Sequence, residues 1–223
     1  MGGLIPLGDA SRRPTRTPVI TVLLIVLNAF VFGCELLFGE PFVEHFAIVP
    51  ALITSGHAWI TILTAMFLHA SWSHIIGNMI FLWAFGPEIE DLMGRGRFLS
   101  FYLLGGVAAM LAQVVAAPNS TIPNLGASGA IAAVMGAFLV TYPRDRIKTA
   151  LFFLFFVKIT FIPAVLLIGF WFLIQLFNAG QVAHHVQTGG VAYMAHVGGF
   201  AFGALTARLW ERAKPLAGYT AYD

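Results

Sequence analysis

Six long apolar runs constrain this chain more than any other feature of its sequence. Each run is bounded by charged residues or by Gly, Pro or Asn. The runs lie at about 19–38, 62–85, 97–117, 127–142, 162–180 and 193–211. A helix needs about 20 apolar residues to cross the roughly 30 Å hydrocarbon core of a bilayer. We therefore expect an all-α membrane protein, built as a six-transmembrane-helix bundle.

The composition excludes several other classes of protein. Hydrophobic residues make up 59% of the chain and charged residues only 10%, whereas soluble domains carry about 25% charged residues. The single cysteine, Cys34, cannot form an internal disulfide, which excludes a disulfide scaffold. A net charge of +2 is too small to indicate a nucleic-acid partner. The expected surroundings are a lipid bilayer, and the oligomeric state is left open.

The basic residues orient the predicted bundle. All twelve lie before the first run, between the second and third, between the fourth and fifth, or near the end of the sixth and beyond it. The segments 39–61, 118–126 and 181–192 contain neither Lys nor Arg. Because basic loops stay cytoplasmic, we expect both termini in the cytoplasm.

This layout defines the expected organisation of the chain. We predict a cytoplasmic N-terminal segment over 1–18, a six-helix domain over 19–211 and a cytoplasmic tail over 212–223. The apolar stretch from Leu151 to Phe156 is expected to lie at the membrane interface or to extend the fifth helix. The short tails favour a multi-pass protein of the bacterial inner cell membrane, and an organellar membrane remains an alternative.

A few polar residues share one depth near the outer face. They are His69, His74 and Asn78 in the second run, Ser128 opening the fourth and His196 opening the sixth. Polar groups within a membrane are costly and tend to face the bundle interior, where they often carry function. His74 and Asn78 are four residues apart and project from one helical face. His69 lies about 140° away around the helix, so we expect it to make a different contact or to lie in the loop.

These residue types suit nucleophilic catalysis. Ser128 lies in Gly126-Ala-Ser-Gly, and a helix N-terminus offers free N–H groups to an oxyanion. A serine hydroxyl needs a nearby base, for which His196 is available. The side chains of His74 and Asn78 are suited to binding the negative oxygen of a tetrahedral intermediate.

Taken singly, these residues also have structural interpretations. Ser128 lies among small residues that allow helices to pack closely, and His196 could be a satisfied interior polar group. For the pair Gly199 and Gly203, a packing motif is the preferred interpretation. Four lone polar residues in the runs are expected to make interhelical hydrogen bonds or to lie at interfaces. They are Asn28, Glu35, Gln113 and Gln175.

Three motifs together resemble the signatures of the rhomboid intramembrane serine proteases. The motifs are His69-Ala-Ser-Trp-Ser-His74-Ile-Ile-Gly-Asn78, Gly126-Ala-Ser128-Gly129 and Ala195-His196-Val-Gly-Gly199-Phe-Ala-Phe-Gly203. Their order, spacing and placement on helices two, four and six match the family. The segment from Glu90 to Arg97 also resembles the family's acidic-then-glycine turn.

The resemblance implies a fold and an activity. It implies a six-helix bundle whose active site opens outward through a water-filled cavity, with Ser128 as nucleophile and His196 as general base. His74, Asn78 and the Ser128 backbone N–H would form the oxyanion hole, supported by Gly126 and further by His69. The expected substrates are transmembrane segments of other proteins, cut near the outer face without metal or other cofactor.

The sequence departs from the family pattern at two positions. Some members carry a Trp-Arg pair in the first outer loop, where this chain has Trp59-Ile60. Some members place an aromatic residue four positions after the nucleophile, where this chain has Ala132. The residue that orients His196 is therefore left open. As a lateral gate and cap we expect the fifth helix, with Trp171 and Phe172, and the loop 181–192, with Gly189 and Gly190.

Other functions are weighed against the same residues. The chain has no His-Glu-x-x-His zinc motif, and its four aspartates all lie outside the apolar runs, which excludes two further classes of membrane protease. A transporter could use His69, His74 and His196 as a proton or metal site. The main alternative is a catalytically inactive rhomboid-like chaperone or adaptor that binds transmembrane helices.

Overall fold

The computed structural model describes residues 3–153, 156–183 and 191–212. These residues form nine α-helices, a 3₁₀ turn at Ala65–Phe67 and three β-strands. The helices are α1 Val19–Phe38, α2 Glu40–Phe46, α3 Pro50–Thr54, α4 Thr61–Thr64, α5 Trp72–Met93, α6 Arg95–Ala116, α7 Ser128–Thr141, α8 Ala164–Ala183 and α9 Tyr193–Trp210. The strands are β1 Gly3–Asp9, β2 Arg146–Phe153 and β3 Phe156–Pro163.

Six long helices, α1 and α5 to α9, correspond to the six apolar runs. The second differs from the prediction, because α5 begins at Trp72 and ends at Met93, whereas the run was placed at 62–85. The cause lies in its cap: the Ser71 hydroxyl accepts a hydrogen bond from the His74 backbone N–H at 3.2 Å, which starts the helix there. Residues 62–71 instead form α4, the 3₁₀ turn and a short loop.

Among the residues that the structure describes, three helices are long and apolar enough to cross a membrane. They are α1, α6 and the portion of α8 from Ala164 to Gln181. α7 is shorter, and its residues Gly129–Phe138 are all buried within the bundle. The count of six spans therefore stays a prediction.

A three-stranded antiparallel sheet corrects the all-α prediction. Its strand order is β1-β2-β3, so β1 from the N-terminal segment pairs with β2. Within the predicted stretch, residues 151–153 and Phe156 therefore do not extend the fifth helix, because they belong to β2 and β3. The remaining two residues lie outside the described residues. The physical reason is a period of two: Ile147 and Thr149 are buried while Lys148 between them is exposed, and β-branched and aromatic residues favour strands.

The connections gather at two ends of the bundle. At one end Arg12 pairs with Asp145, and the Arg97 guanidinium donates to the carbonyl of Glu211 at 2.8 Å. At the other end Ile48 and Asn124 form a bridge that joins two segments without basic residues. The basic connections thus share one end, and which end faces the cytoplasm stays a prediction.

Glycines bring α7 and α9 into close contact. A Cβ atom at Gly199 would collide with the backbone carbonyl of Gly129, and one at Gly203 with that of Ala133. On the α7 side, a Cβ at Gly136 would collide with the carbonyl of Phe200. The predicted packing motif is thus confirmed, and we call this contact between Gly129, Ala133, Gly136, Gly199 and Gly203 the α7–α9 seam.

Candidate active site

Ser128 and His196 meet at the end of the α7–α9 seam where both helices begin. Ser128 is the first residue of α7, and His196 lies in the first turn of α9. The Ser128 Oγ lies 2.7 Å from the His196 Nε2, a normal hydrogen-bond distance. The His196 side chain is buried, with 8% of its residue surface exposed. The structure therefore brings the predicted nucleophile and base into direct contact.

Gln175 on α8 contacts the other nitrogen of the His196 ring. Its Oε1 lies 2.8 Å from the His196 Nδ1, while its Nε2 donates to the Trp171 carbonyl at 3.3 Å. An amide oxygen can only accept, so this bond assigns the ring proton to Nδ1. The His196 Nε2 is then free to accept the Ser128 hydroxyl proton.

Sequence reasoning predicted for Gln175 either an interhelical hydrogen bond or an interface position. The hydrogen bond is observed, but its partner was missed, because a fifth-run residue cannot be paired with His196 from spacing alone. The sequence signal was weak, since the run offers three amides, Gln175, Asn178 and Gln181, and does not show which of them faces His196.

Aromatic rings replace the absent aromatic residue on α7. Ala132 is fully buried and offers His196 no ring. Instead the Trp171 ring lies 5.7 Å from the His196 ring at an interplanar angle of 38°, and Tyr193 approaches edge-on at 6.5 Å. The aromatic support for His196 thus comes from α8 and α9.

His74 lies across Gly126 from the serine. A Cβ atom at Gly126 would lie 2.9 Å from the Nε2 of His74 and 3.6 Å from the Ser128 Oγ. Gly126 also has a φ of +128°, which side chains other than hydrogen disfavour. The Ala70 backbone N–H donates to the His74 Nδ1 at 3.4 Å, so a neutral ring carries its proton on Nε2, on the side facing Gly126.

Asn78 supplies a second donor on the same helix. It lies one turn after His74 and is 8% exposed. Its buried Nδ2 finds no hydrogen-bond acceptor among the residues that the structure describes. Unpaired buried donors are rare and costly, so this amide is suited to a group that arrives later. The Ser128 backbone N–H, in the first turn of α7, has no acceptor within its own helix.

His69 lies in the loop before α5, apart from the dyad. Its backbone N–H donates to the Glu35 carboxylate at 3.0 Å, so the hydrogen bond of Glu35 joins α1 to a loop and not to another helix. Its ring packs edge-on against the His74 ring at 5.1 Å. His69 therefore contacts the site through His74. By contrast, Asn28 bonds the Leu24 carbonyl within its own helix.

The predicted gate lies only partly within the described residues. Trp171 and Phe172 both contact α9, where Phe172 stacks on Phe200 with ring centroids 4.0 Å apart. The glycines of the predicted cap, Gly189 and Gly190, lie outside the described residues. Across residues 3–153, 156–183 and 191–212, no three His, Cys, Asp or Glu side chains come together in a group that could hold a metal ion.

Comparison with known proteins finds one family. The Rhomboid domain matches residues 56–212. The chain is 34% identical over 134 residues to rhomboid protease GluP of Bacillus subtilis, covering 58% of this chain and 26% of that protein. It is 32% identical over 154 residues to mitochondrial rhomboid protein 1 of Saccharomyces cerevisiae, covering 66% of this chain and 40% of the relative.

A human relative gives a similar match. The mitochondrial presenilin-associated rhomboid-like protein of Homo sapiens is 30% identical over 168 residues, covering 69% of this chain and 40% of that protein. The matched part of the chain thus spans between about a quarter and two fifths of the length of these relatives.

Proposed function

The chain belongs to the rhomboid family, and from that premise we propose that it is an intramembrane serine endopeptidase. It cleaves transmembrane segments of other membrane proteins near the outer face, with Ser128 as nucleophile and His196 as general base. The observation that carries this proposal is the 2.7 Å contact between the Ser128 Oγ and the His196 Nε2. The name of one relative, a rhomboid protease, supports the same activity.

The reaction follows from the positions of the protons. The His196 Nε2 takes the hydroxyl proton as the Ser128 Oγ attacks the scissile carbonyl carbon. The negative oxygen is bound by the Nε2–H of His74, the Nδ2–H of Asn78 and the Ser128 backbone N–H. The protonated His196 then gives its proton to the leaving amine as the C–N bond breaks, which leaves an acyl-enzyme. Water, activated by the same imidazole, hydrolyses the ester and restores Ser128.

The proposed setting is a lipid bilayer crossed six times. The family and the apolar helices support a membrane protein, and the basic connections gathered at one end support cytoplasmic termini. Ser128 follows the segment 118–126, which has no basic residue, so the site would lie near the outer face. We place the protein in the bacterial inner membrane as a multi-pass protein. Residues 19–211 would form the protease domain between cytoplasmic segments 1–18 and 212–223.

The decisive experiment removes the two reacting groups. In detergent, the full chain should cleave a reporter containing a transmembrane helix and should react covalently with a fluorophosphonate. Ser128→Ala and His196→Ala should lose both activities, while the matched changes Ser100→Ala and His57→Ala should keep them. Retained cleavage in Ser128→Ala would overturn the proposal. Binding of the reporter helix without any cleavage by the unmodified chain would favour the inactive chaperone or adaptor.

The oxyanion donors can be tested separately. His74→Ala and Asn78→Ala should each lower kcat by about 10²–10³-fold, as the loss of one such donor does in serine proteases. KM for the reporter should change little, since these donors act on the transition state. A variant that raised KM with kcat intact would instead place that residue in substrate binding.

A further inference from the structure

We propose that Gln175 is a positioning residue of this site, which holds the His196 ring with its proton on Nδ1 and so makes Nε2 the base. The functional consequence rests on the proposed protease activity. The tautomer itself does not, because it can be measured without turnover.

Both ends of the Gln175 amide are assigned by their partners. The Nε2 donates to the Trp171 carbonyl one turn earlier on α8, which leaves the Oε1 to face the His196 Nδ1 at 2.8 Å. The opposite amide orientation would set two carbonyl oxygens against each other and a donor against Nδ1. Gln175 is also only 7% exposed, so water does not readily replace this bond.

The alternative ring tautomer would block the chemistry. With the proton on Nε2, the imidazole would donate to the Ser128 oxygen and could not take its proton. Serine activation therefore needs the ring proton on Nδ1, and an acceptor at that nitrogen favours this tautomer. At this position the structure places a neutral amide, and not a carboxylate.

Because Gln175 lies on α8, its hydrogen bond to His196 depends on the position of that helix. Several side chains of this helix are largely exposed, among them Leu173 at 62% and Phe177 at 66%. α8 is held against α9 by the Phe172–Phe200 stack and by the Trp171 ring over His196. If α8 moves away, the Nδ1 acceptor leaves with it. The tautomer with its proton on Nδ1 is thus favoured when α8 packs against α9.

The test is the change Gln175→Met, which keeps the length of the side chain and removes its acceptor. The matched control is Gln181→Met, at an exposed glutamine of the same helix. Two readouts are used on the full chain in detergent. The first is reporter cleavage together with the rate of fluorophosphonate labelling. The second is the ¹⁵N spectrum of histidine-labelled protein, in which His196 is assigned by its loss in His196→Ala.

The expected result separates positioning from folding. Gln175→Met should lower kcat and the labelling rate by about tenfold or more, the equivalent of one hydrogen bond, with KM and Tm close to those of Gln181→Met. Its His196 signal should lose the Nδ1-protonated form that the unmodified chain shows. If Gln175→Met unfolds, the spectrum of the unmodified chain still decides the proposal.

Two results would overturn the inference. One is an Nε2-protonated His196 in the unmodified chain, and the other is labelling by Gln175→Met within twofold of the control. Either leaves the protease proposal intact, since Ser128→Ala tests that independently. Conversely, an unmodified chain that neither cleaves nor labels, but shows the Nδ1 proton, would reject the protease and retain the Gln175 contact.

Discussion

The α7–α9 seam and helix α8 are held in opposite ways, although both supply the candidate site. At the seam, glycines let two backbones approach so closely that a single Cβ would collide. On α8, Gly169 and Gly180 have open space where a Cβ would lie. The seam positions Ser128 and His196, and α8 adds Gln175 and Trp171.

The difference indicates a division of tasks. The distance between nucleophile and base needs a fixed geometry, and close backbone packing provides one. Under the proposed activity, substrate helices would reach the same site from the lipid, which would require some element to be less tightly packed. In this molecule the less tightly packed element carries the group that sets the proton of His196. Two comparisons between the regions and one test of the contacts at the start of α8 examine this, in order of decreasing effect.

The largest contrast should come from two phenylalanines. Phe138 on α7 is fully buried and contacts Phe85 and Tyr142, so Phe138→Ala should lower the free energy of unfolding by about 3–5 kcal/mol. Phe172→Ala on α8 should cost less, about 1–2 kcal/mol, because that ring is only partly buried. It should nevertheless reduce cleavage severalfold, since α8 loses its stack on Phe200. Thermal unfolding and reporter cleavage measure both, and equal losses of stability would contradict the comparison.

A matched pair of glycines gives the next contrast. Gly203→Ala places a methyl group against the Ala133 backbone carbonyl, so we expect a loss of about 1–3 kcal/mol as the helices separate. Gly169→Ala meets no atom within 4 Å and should change stability by less than about 1 kcal/mol, in the favourable direction for a helix. The fluorophosphonate labelling rate should fall only in the first variant. A tolerated Gly203→Ala would show that the seam is not closely packed.

The smallest effect concerns the contacts that hold the start of α8, which we call the anchor. The Ala164 backbone N–H donates to the Asp145 carbonyl at 2.8 Å, and Asp145 pairs with Arg12. The hydrogen bond from Arg12 lowers the pKa of Asp145, whereas burial raises the pKa of nearby Asp9 to about 6. The anchor therefore contains two carboxyl groups with opposite pH dependence.

The sign of each dependence follows from proton linkage. The folded chain binds the Asp9 proton more tightly than the unfolded chain, so this stabilisation is present at low pH and falls as pH rises from about 4 through 6. The contribution of Asp145 is lost only as pH falls through its lowered pKa. Asp9→Asn should therefore raise stability at pH 8 by less than about 1 kcal/mol, because the carboxylate is close to Arg12, and change it little at pH 4. Tm measured against pH checks this, and a gain confined to low pH would contradict it.

Much of the helical layout was accessible from sequence, because apolar runs and charged boundaries are local signals. The start of α5 was misplaced by ten residues, since the Ser71 cap outweighed an apolar stretch. The pairing of β1 with β2 was missed because the two strands are more than 130 residues apart in the chain, a separation across which no local pattern reveals a pairing. β2 and β3 are adjacent, but their apolar residues were assigned to the membrane interface or to the fifth helix.

The candidate site likewise contains residues that the sequence could identify and contacts that it could not. Ser128, His196, His74 and Asn78 were selected from their residue types, their shared depth and a family resemblance. The structure brings Ser128 and His196 into contact and His74 close to Gly126, and Asn78 lies one turn further along α5. Their catalytic roles stay predictions. Gln175 and Trp171 were named from the sequence for other reasons, but their contacts with His196 could not be predicted, since the sequence does not fix the rotation of the helices about their axes.

The neutral amide at position 175 also bears on how the protein is made. α8 precedes α9 in the chain, so a membrane-spanning α8, as proposed here, would enter the bilayer during synthesis before His196 is available as a partner. From Ala164 to Ala183 the helix carries no charged residue. A charged residue near the centre of an inserting helix costs about 2.5–3.5 kcal/mol, and an amide avoids that charge. Glutamine thus lets the nascent helix partition into lipid alone and still provides an acceptor once the next helix has been synthesised.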